Sequence, residues 1–141
     1  MTSSALLPEL KLNPDLDLDA LAAEYQQKQF VQVKGIFSDE TAAGIERILR
    51  EQMPWRLIYV DGERGVGQLS REDANRLGPA EMQRRMANIM RLATRNIGYC
   101  YKGYQMSHAL RDQADPGHPI HAITAFLGSR EWLDFGEKVI G

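Results

Sequence analysis

A small set of side chains could bind a metal or act as a nucleophile. The imidazole and thiol groups of the chain belong to His108, His118, His121 and Cys100. Together with Asp115 these could form a metal set, but zinc sites usually combine two close pairs of ligands, and a helical pair needs histidines four residues apart. His118 and His121 are three residues apart with Pro119 between them. This spacing favours a structural role, in which one of these histidines caps a helix or hydrogen-bonds across a loop.

The other reactive groups lack the partners that catalysis needs. Cys100 lies in a predicted strand without a basic residue fixed beside it, so we expect a small buried apolar residue rather than a nucleophile. Glu72 and Asp73 are adjacent carboxylates without the surroundings of a general acid. The glycine-rich stretch 61–67 does not fit a phosphate loop, because no Lys-Ser or Lys-Thr pair follows it and its acids oppose an anion. It predicts a turn or a hairpin loop.

Composition indicates one ordinary globular domain. The 141 residues are 43% hydrophobic and 26% charged, enough to bury a core. Seventeen basic and nineteen acidic residues leave a net charge of −2 and no overall field that would hold nucleic acid or an anionic membrane. No apolar segment approaches the roughly 20 residues that cross a bilayer. With a single cysteine and no basic, apolar leader at the start, the sequence predicts a cytoplasmic protein.

Positive charge is concentrated locally on one predicted helix. Its arginines are Arg84, Arg85, Arg91 and Arg95. We interpret them as the solvated outer side of that helix, and keep a weak nucleic-acid-binding face as an alternative.

The first part of the chain predicts an arm followed by helices. Residues 1–16 contain two prolines among scattered leucines and acids, and are expected to form an extended arm. Apolar residues at helical spacing predict a helix over 17–29. Residues 30–37 are rich in strand-forming types and predict a strand. Ser38 is a suitable N-cap for a helix that ends before Pro54.

The second part alternates strands and helices around a predicted central strand. Tyr99 and Tyr101 share one face of an extended segment over 96–106, and Tyr104 lies on the other face. The remaining predicted elements, in chain order, are a strand over 55–60, a helix from Ser70 to Gly78, a helix from Pro79 to Ala93, a polar connection over 107–117, a helix ending at Gly128 and a helix begun by Ser129. Residues 17–141 are therefore expected to form a single α+β domain.

Several of these segments resemble, in kind and order, the N-terminal half of iron(II)- and 2-oxoglutarate-dependent oxygenases of the prolyl-hydroxylase-like group. The opening run Phe30 to Ser38, with the helix after it, resembles the beginning of such enzymes. The later similar segments are Trp55 to Leu57 before a glycine-containing loop, the strand Tyr99 to Tyr104, Asp115 to Pro119, Phe126 to Leu127 and Trp132 to Phe135.

The resemblance implies a fold, a reaction and a pocket. Helices near the N-terminus would support framework strands of a double-stranded β-helix, here at 55–60 and 96–105. The parent enzyme would use Fe(II) and 2-oxoglutarate to hydroxylate a small-molecule or peptidyl substrate. Tyr99, Tyr101 and Tyr104 would line its pocket, or would serve as ordinary core and cross-strand aromatics.

The sequence departs from the family at the metal site. Iron in these enzymes is held by a His-x-Asp pair and a distant histidine, but no histidine here has an acid two positions later. We therefore assign no catalytic, metal or cosubstrate residue, and expect no cofactor in this chain. It is expected to be the N-terminal half of a larger oxygenase domain and to be inactive alone.

Two other classes of function remain open. One is a non-catalytic interaction module, in which another copy of the chain covers the sheet edge to give a homodimer. The other is the weak nucleic-acid binder that would use the face from Arg84 to Arg95.

Overall fold

The computed structural model describes residues 9–60, 62 and 65–141. They form two compact units. The helix unit contains the described residues of 9–52 and 106–141, and the sheet unit contains those of 53–105, so the sheet unit is inserted into the helix unit in chain order. The predicted α+β class is confirmed. The single domain proposed for 17–141 stays a prediction.

Helices and short strands follow one another along the chain. In chain order they are α1 (Leu18–Lys28), α2 (Asp39–Arg47), a π-helical turn (Ile48–Gln52), β1 (Arg56–Val60), β2 (Val66–Leu69), α3 (Arg71–Ala93), β3 (Cys100–Gly103), α4 (Met106–Arg111), α5 (Ile120–Leu127) and α6 (Arg130–Ile140).

Side-chain caps fix where the helices of the helix unit begin. Asp17 Oδ1 accepts a hydrogen bond from the Ala20 amide at 3.0 Å, ahead of α1. Ser38 Oγ does the same for the Thr41 amide at 3.2 Å, and Ser129 Oγ for the Trp132 amide at 3.3 Å. Each bond satisfies an amide that has no partner within its helix. The helices predicted to begin after Ser38 and Ser129 are thereby confirmed.

Aromatic rings form the centre of the helix unit. The Phe37 ring lies 5.6 Å from that of Phe126 and 6.5 Å from that of Trp132. Trp132 also contacts Phe135, with 5.7 Å between ring centroids. Ring contacts of this kind add to the free energy gained by burying apolar area. The aliphatic and small side chains that are buried in this unit are Ile48, Ala109, Ile120, Ile123 and Val139.

Residues 30–37 do not form the predicted strand. Phe30 is 67% exposed, and the segment has no neighbouring strand among the described residues. Its backbone is instead held by Asn13, whose amide donates to the Ile36 carbonyl and whose Nδ2 donates to the Gly35 carbonyl, both at 2.9 Å. Gly35 has a φ of 64°, which bends the chain. The β-forming side chains were therefore a misleading signal, because backbone pairing is decided by what lies beside the segment.

The connection predicted over 107–117 was wrong in its first half, because α4 occupies Met106–Arg111. Ala109 is buried and Met106 is half-buried, three residues before it. One helical turn offers only this pair, which is too short a pattern to stand out among polar neighbours. The chain then turns through Asp115 and Gly117, both with positive φ.

The sheet unit contains a three-stranded antiparallel sheet in the order β2-β1-β3. The prediction that the tyrosine strand over 96–106 is central was wrong: β3 covers only Cys100–Gly103 and lies at an edge, while β1 is central. The β1–β2 hairpin agrees with the predicted turn, although residues 61, 63 and 64 of that turn lie outside the described residues. The double-stranded β-helix that the resemblance implied is not seen in the described part of the chain.

A capping box starts α3, as its Ser70 predicted. Ser70 Oγ accepts from the Asp73 amide, and Asp73 Oδ2 accepts from the Ser70 amide, each at 3.1 Å. Gly78, with a φ of 77°, interrupts the helix, and Pro79 begins its second part. The predicted break at this position is confirmed, since proline fits the first position of a helix but not its interior.

Candidate functional site

One face of the sheet is covered by α3. Tyr59 lies on this face, and its hydroxyl oxygen accepts a hydrogen bond from Arg85 Nη1 of α3 at 3.0 Å. The tyrosine ring crosses the neighbouring strand at Gly67, where a Cβ atom would lie only 2.5 Å from Tyr59 Cζ. Tyr59 is 4% exposed. Glycine is therefore required at Gly67 for the ring to lie flat between sheet and helix.

The opposite face carries apolar and aromatic side chains, and we call it the open face. Strand alternation and register place the following residues on it: Arg56, Ile58, Val60, Val66, Gln68, Tyr99 and Tyr101. Among the described residues of the sheet unit, α3 is the only helix, and it packs on the other side.

Tyr99 and Tyr101 form a ring pair on the open face. Their ring centroids are 5.6 Å apart, and the residues are 44% and 53% exposed. Tyr101 lies directly opposite Ile58, whose Cδ1 occupies the space above Gly103. The structure thus brings two of the three predicted pocket tyrosines together on one surface. Tyr104 follows β3 and is not part of the ring pair.

His118 joins two segments of the helix unit. Its Nδ1 accepts a hydrogen bond from the Ile120 amide at 3.1 Å. Nε2 therefore carries the proton of the neutral ring, and it donates to the Gln52 carbonyl at 3.0 Å. This side chain caps the start of α5 and the end of the π-helical turn at once. The structural role expected for a histidine at this position is confirmed.

His121 bonds across the turn that precedes it. Its Nε2 lies 2.8 Å from the Ala114 carbonyl oxygen and 3.1 Å from that of Asp115. Because carbonyl oxygens only accept, Nε2 carries the proton. Nδ1 is buried and has no hydrogen-bond partner among the described residues. The loop-crossing bond expected from the sequence is present.

The histidine nitrogens and the cysteine thiol do not fit the iron centre that the resemblance implies for the parent enzyme. Both nitrogens of His118 and Nε2 of His121 are bound to the backbone. Cys100 is a free, half-buried thiol on β3, in the other unit. Within the described ranges, no three His, Cys, Asp or Glu side chains come together as a metal site.

Three arginines in the second part of α3 have separate partners. Arg84 forms an ion pair with Glu81, and Arg91 Nη2 donates to Asn88 Oδ1 at 2.7 Å. Arg85 contacts Glu81 as well as the Tyr59 hydroxyl, so it faces the sheet and not the solvated outer side as predicted. Partners of this kind reduce the number of free cations that a phosphate backbone could use.

Two concavities were not predicted from the sequence. A groove of about 530 Å³ runs along α2 in the helix unit, between Phe37, Ala42, Ile45 and Leu49. A smaller pocket of about 140 Å³ lies in the sheet unit. We call it the basic pocket, and its lining residues are Trp55, Arg56, Leu57, Leu69, Ser70, Arg71, Ala74, Met82 and Lys102. The sequence contained one signal for it, the alternation that places Lys102 on the face of β3 opposite to Tyr101.

Comparison of the chain with models of known protein families, with curated protein sequences and with solved structures found no match. In the part of the chain that the structure describes, no helix combines the length and the apolar character needed to cross a membrane.

Proposed function

We propose that this chain supplies the N-terminal part of an iron(II)- and 2-oxoglutarate-dependent oxygenase of the prolyl-hydroxylase-like group. The sheet unit forms one wall of the double-stranded β-helix. The observation that carries this proposal is the open face, where Tyr99 and Tyr101 stand exposed beside the buried Ile58.

An antiparallel sheet with one solvated face normally carries polar side chains on that face. Here α3 covers the face of Tyr59, yet the open face exposes Val66 to 64% as well as both tyrosines. A sheet that is apolar on both faces needs a packed layer on each of them. A second sheet about 10 Å away would bury these side chains and enclose the space that Tyr99 and Tyr101 line.

The iron ligands and the group that binds 2-oxoglutarate belong, in this proposal, to residues outside the present sequence. The metal centre supplies oxygen activation, and the parent enzyme hydroxylates an unreactive C–H bond of a small-molecule or peptidyl substrate. This chain contributes the wall, the two tyrosines and the supporting helix α3. A cytoplasmic location, in which Cys100 stays a free thiol, belongs to the same proposal.

A second candidate function is a non-catalytic module that associates with another copy of itself. Its support is the position of β2 and β3 at the two edges of the described sheet. Edge strands present unpaired amides and carbonyls that invite another strand. The same exposed side chains of the open face would then be covered by the second copy. A weak nucleic-acid binder has less support, because Arg84, Arg85 and Arg91 are held by neighbours.

Two measurements distinguish the first two candidates. The intact mass of the protein made from its native locus is compared with the 15.9 kDa of this chain. The protein from the native locus and the 141-residue chain are then each assayed for iron-dependent conversion of 2-oxoglutarate to succinate. A longer native protein that has His-x-Asp in its added residues and forms succinate supports the oxygenase. Succinate formation by the 141-residue chain itself contradicts the proposal that the iron ligands lie outside the present sequence.

The oligomeric state of the protein is a third measurement. If the native mass is 15.9 kDa, light scattering after size-exclusion chromatography tests the interaction module. A dimer that Tyr101→Glu converts to a monomer supports it, because a charge on the open face cannot be buried without a partner. A wild-type monomer at high concentration, with no binding to DNA or RNA at low salt, contradicts both alternatives.

A further inference from the structure

We propose that the basic pocket of the sheet unit binds a small organic carboxylate, with the apolar body of the ligand held inside and its charge at the rim. This site lies at the start of α3, on the side of the sheet away from the open face. It does not depend on the oxygenase proposal.

The floor of the basic pocket is apolar. Leu69, Leu57 and Lys102 lie opposite one another across β2, β1 and β3, and so form one row on the face that α3 covers. Ala74 and Met82 of α3 close the pocket from the other side. The volume of about 140 Å³ is that of roughly five water molecules, so the ligand must be compact.

The rim is positively charged. Arg71 and Lys102 line the pocket, Arg56 borders it from a strand position that alternation assigns to the open face, and no acidic residue among the described ones lines it. Among the described residues, neither Arg71 nor Lys102 has an ion-pair partner within 4.0 Å. Because these two cations have no acidic partner among the described residues and lie above an apolar floor, they favour a ligand of opposite charge.

The carboxylate of Asp73, between the lining residues Ser70 and Ala74 in the chain, already has hydrogen-bond partners. Asp73 accepts hydrogen bonds from the Ser70 amide and hydroxyl, and these lower the pKa of its carboxyl group, with smaller contributions from Arg76 and Arg56. Asp73 is thus committed to capping α3 and does not line the pocket. Its effect on Arg56 is partial, because Arg76 shares the same carboxylate.

The chemistry of the walls favours a carboxylate over inorganic phosphate. A carboxylate needs two donor groups, which one arginine supplies with its planar fork. Phosphate presents more oxygens, and the side chains of Leu57, Leu69 and Met82 have no donor to offer them. Trp55, which is 40% exposed at the pocket, provides a flat apolar surface against which a ring or a short alkyl chain packs.

Benzoate is the probe for the test, and the 141-residue chain is the protein. We expect saturable binding by calorimetry with a Kd on the order of 1 mM, as for a ligand of this size. Amide shifts in NMR spectra should centre on the pocket residues. Lys102→Gln combined with Arg71→Gln should weaken binding at least tenfold, and neutral benzamide should bind at least tenfold more weakly than benzoate.

Matched variants separate loss of the site from loss of the fold. Arg91→Gln removes one positive charge from the same helix outside the pocket and should change the affinity less than twofold. Ala74→Leu fills the pocket without changing charge and should abolish binding while far-UV circular dichroism stays unchanged. Equal binding of benzoate and benzamide, tighter binding of inorganic phosphate, or full binding by the double glutamine variant would each overturn the proposal.

Discussion

The two units place their aromatic side chains in opposite ways. In the helix unit, Phe37, Phe126 and Trp132 pack on one another. In the sheet unit, Tyr59 is buried under α3, but Tyr99 and Tyr101 form a ring pair that faces outward. The helix unit packs these three rings against one another, although its Phe30 is 67% exposed, whereas the sheet unit exposes a pair of tyrosine rings on one surface. This difference is the reason to look for function in the sheet unit.

The units also differ in charge. Residues 53–105 contain nine Lys and Arg and five Asp and Glu, a net charge of +4. The remaining residues contain eight basic and fourteen acidic side chains, a net charge of −6. The overall net charge of −2 is therefore the sum of a basic sheet unit and an acidic remainder of the chain. The total charge excludes an overall electrostatic field that attracts anions, but it does not exclude a local anion site.

The largest expected effect compares a buried ring with an exposed one. Phe126→Ala should reduce the free energy of unfolding by about 3–5 kcal/mol, because it leaves a cavity beside Phe37 and Trp132. Tyr101→Ala should change it by less than about 1 kcal/mol, because that ring is 53% exposed. Urea titration followed by circular dichroism measures both. Similar losses would mean that the open face is part of a core.

The next effect compares two glycines. Gly67→Ala should destabilise the protein by about 1–3 kcal/mol, because its methyl group would lie 2.5 Å from the ring of Tyr59. Gly136→Ala is the control in α6, where a Cβ atom meets nothing within 4 Å, and it should stabilise by about 0.5–1 kcal/mol. Melting temperatures of both variants provide the measurement. A neutral Gly67→Ala would contradict the close contact across β1 and β2.

Helix caps give an effect of intermediate size. Ser70→Ala in the sheet unit and Ser129→Ala in the helix unit should each cost about 1 kcal/mol, since each removes a capping bond. The loss at Ser70 should be the larger, because Asp73 loses its hydroxyl partner as well. Urea midpoints measured side by side test this order, and the reverse order would contradict the role given to the capping box.

The Ser70→Ala variant should also change how the stability of the folded protein depends on pH. The Ser70 bonds hold the pKa of Asp73 below its usual value of 3.8. A carboxyl group with a lowered pKa in the folded protein stabilises it fully above 3.8, and this contribution is lost as the pH falls through the lowered value. Ser70→Ala should therefore reduce the stability gained on raising the pH from about 2 to about 5. An unchanged pH profile would argue against the hydrogen bonds as the cause.

The smallest expected effect is that of a surface ion pair in the helix unit. Lys138 Nζ lies 2.6 Å from Asp19 Oδ1, and lowers the pKa of that carboxyl group. Both side chains are largely exposed, so Asp19→Asn should lower the melting temperature slightly at low salt and not at all near 1 M salt, where charges are screened. A large effect that persists in salt would show that α1 and α6 depend on this pair.

The sequence predicted local features more reliably than pairing. Ser38 and Ser129 are N-caps as expected, a helix begins after Ser70, and Gly78 interrupts it, because capping and backbone preference depend on residues close in the chain. The strand over 30–37 was wrong because no strand among the described residues lies beside it. β2 was not predicted, since its four residues include a glycine that only the ring of Tyr59 explains.

The candidate sites were predictable in part. Alternation along β3 placed Tyr99 and Tyr101 on one face, which the structure bears out. That the face is open depends on α3 packing on the other side, which a single sequence does not specify. The basic pocket combines Leu57 and Lys102, which the register of the sheet places opposite one another, with Arg71 at the start of α3.

Succinate formation is the most direct test of the proposal that the open face is the inner wall of an oxygenase. The protein made from the native locus and the 141-residue chain are incubated with Fe(II), ascorbate and 2-oxoglutarate. We expect iron-dependent succinate from the longer native protein, a strong reduction of that activity by Tyr101→Ala, and no succinate from the 141-residue chain. A native protein of 15.9 kDa without activity would contradict it and favour the self-associating module.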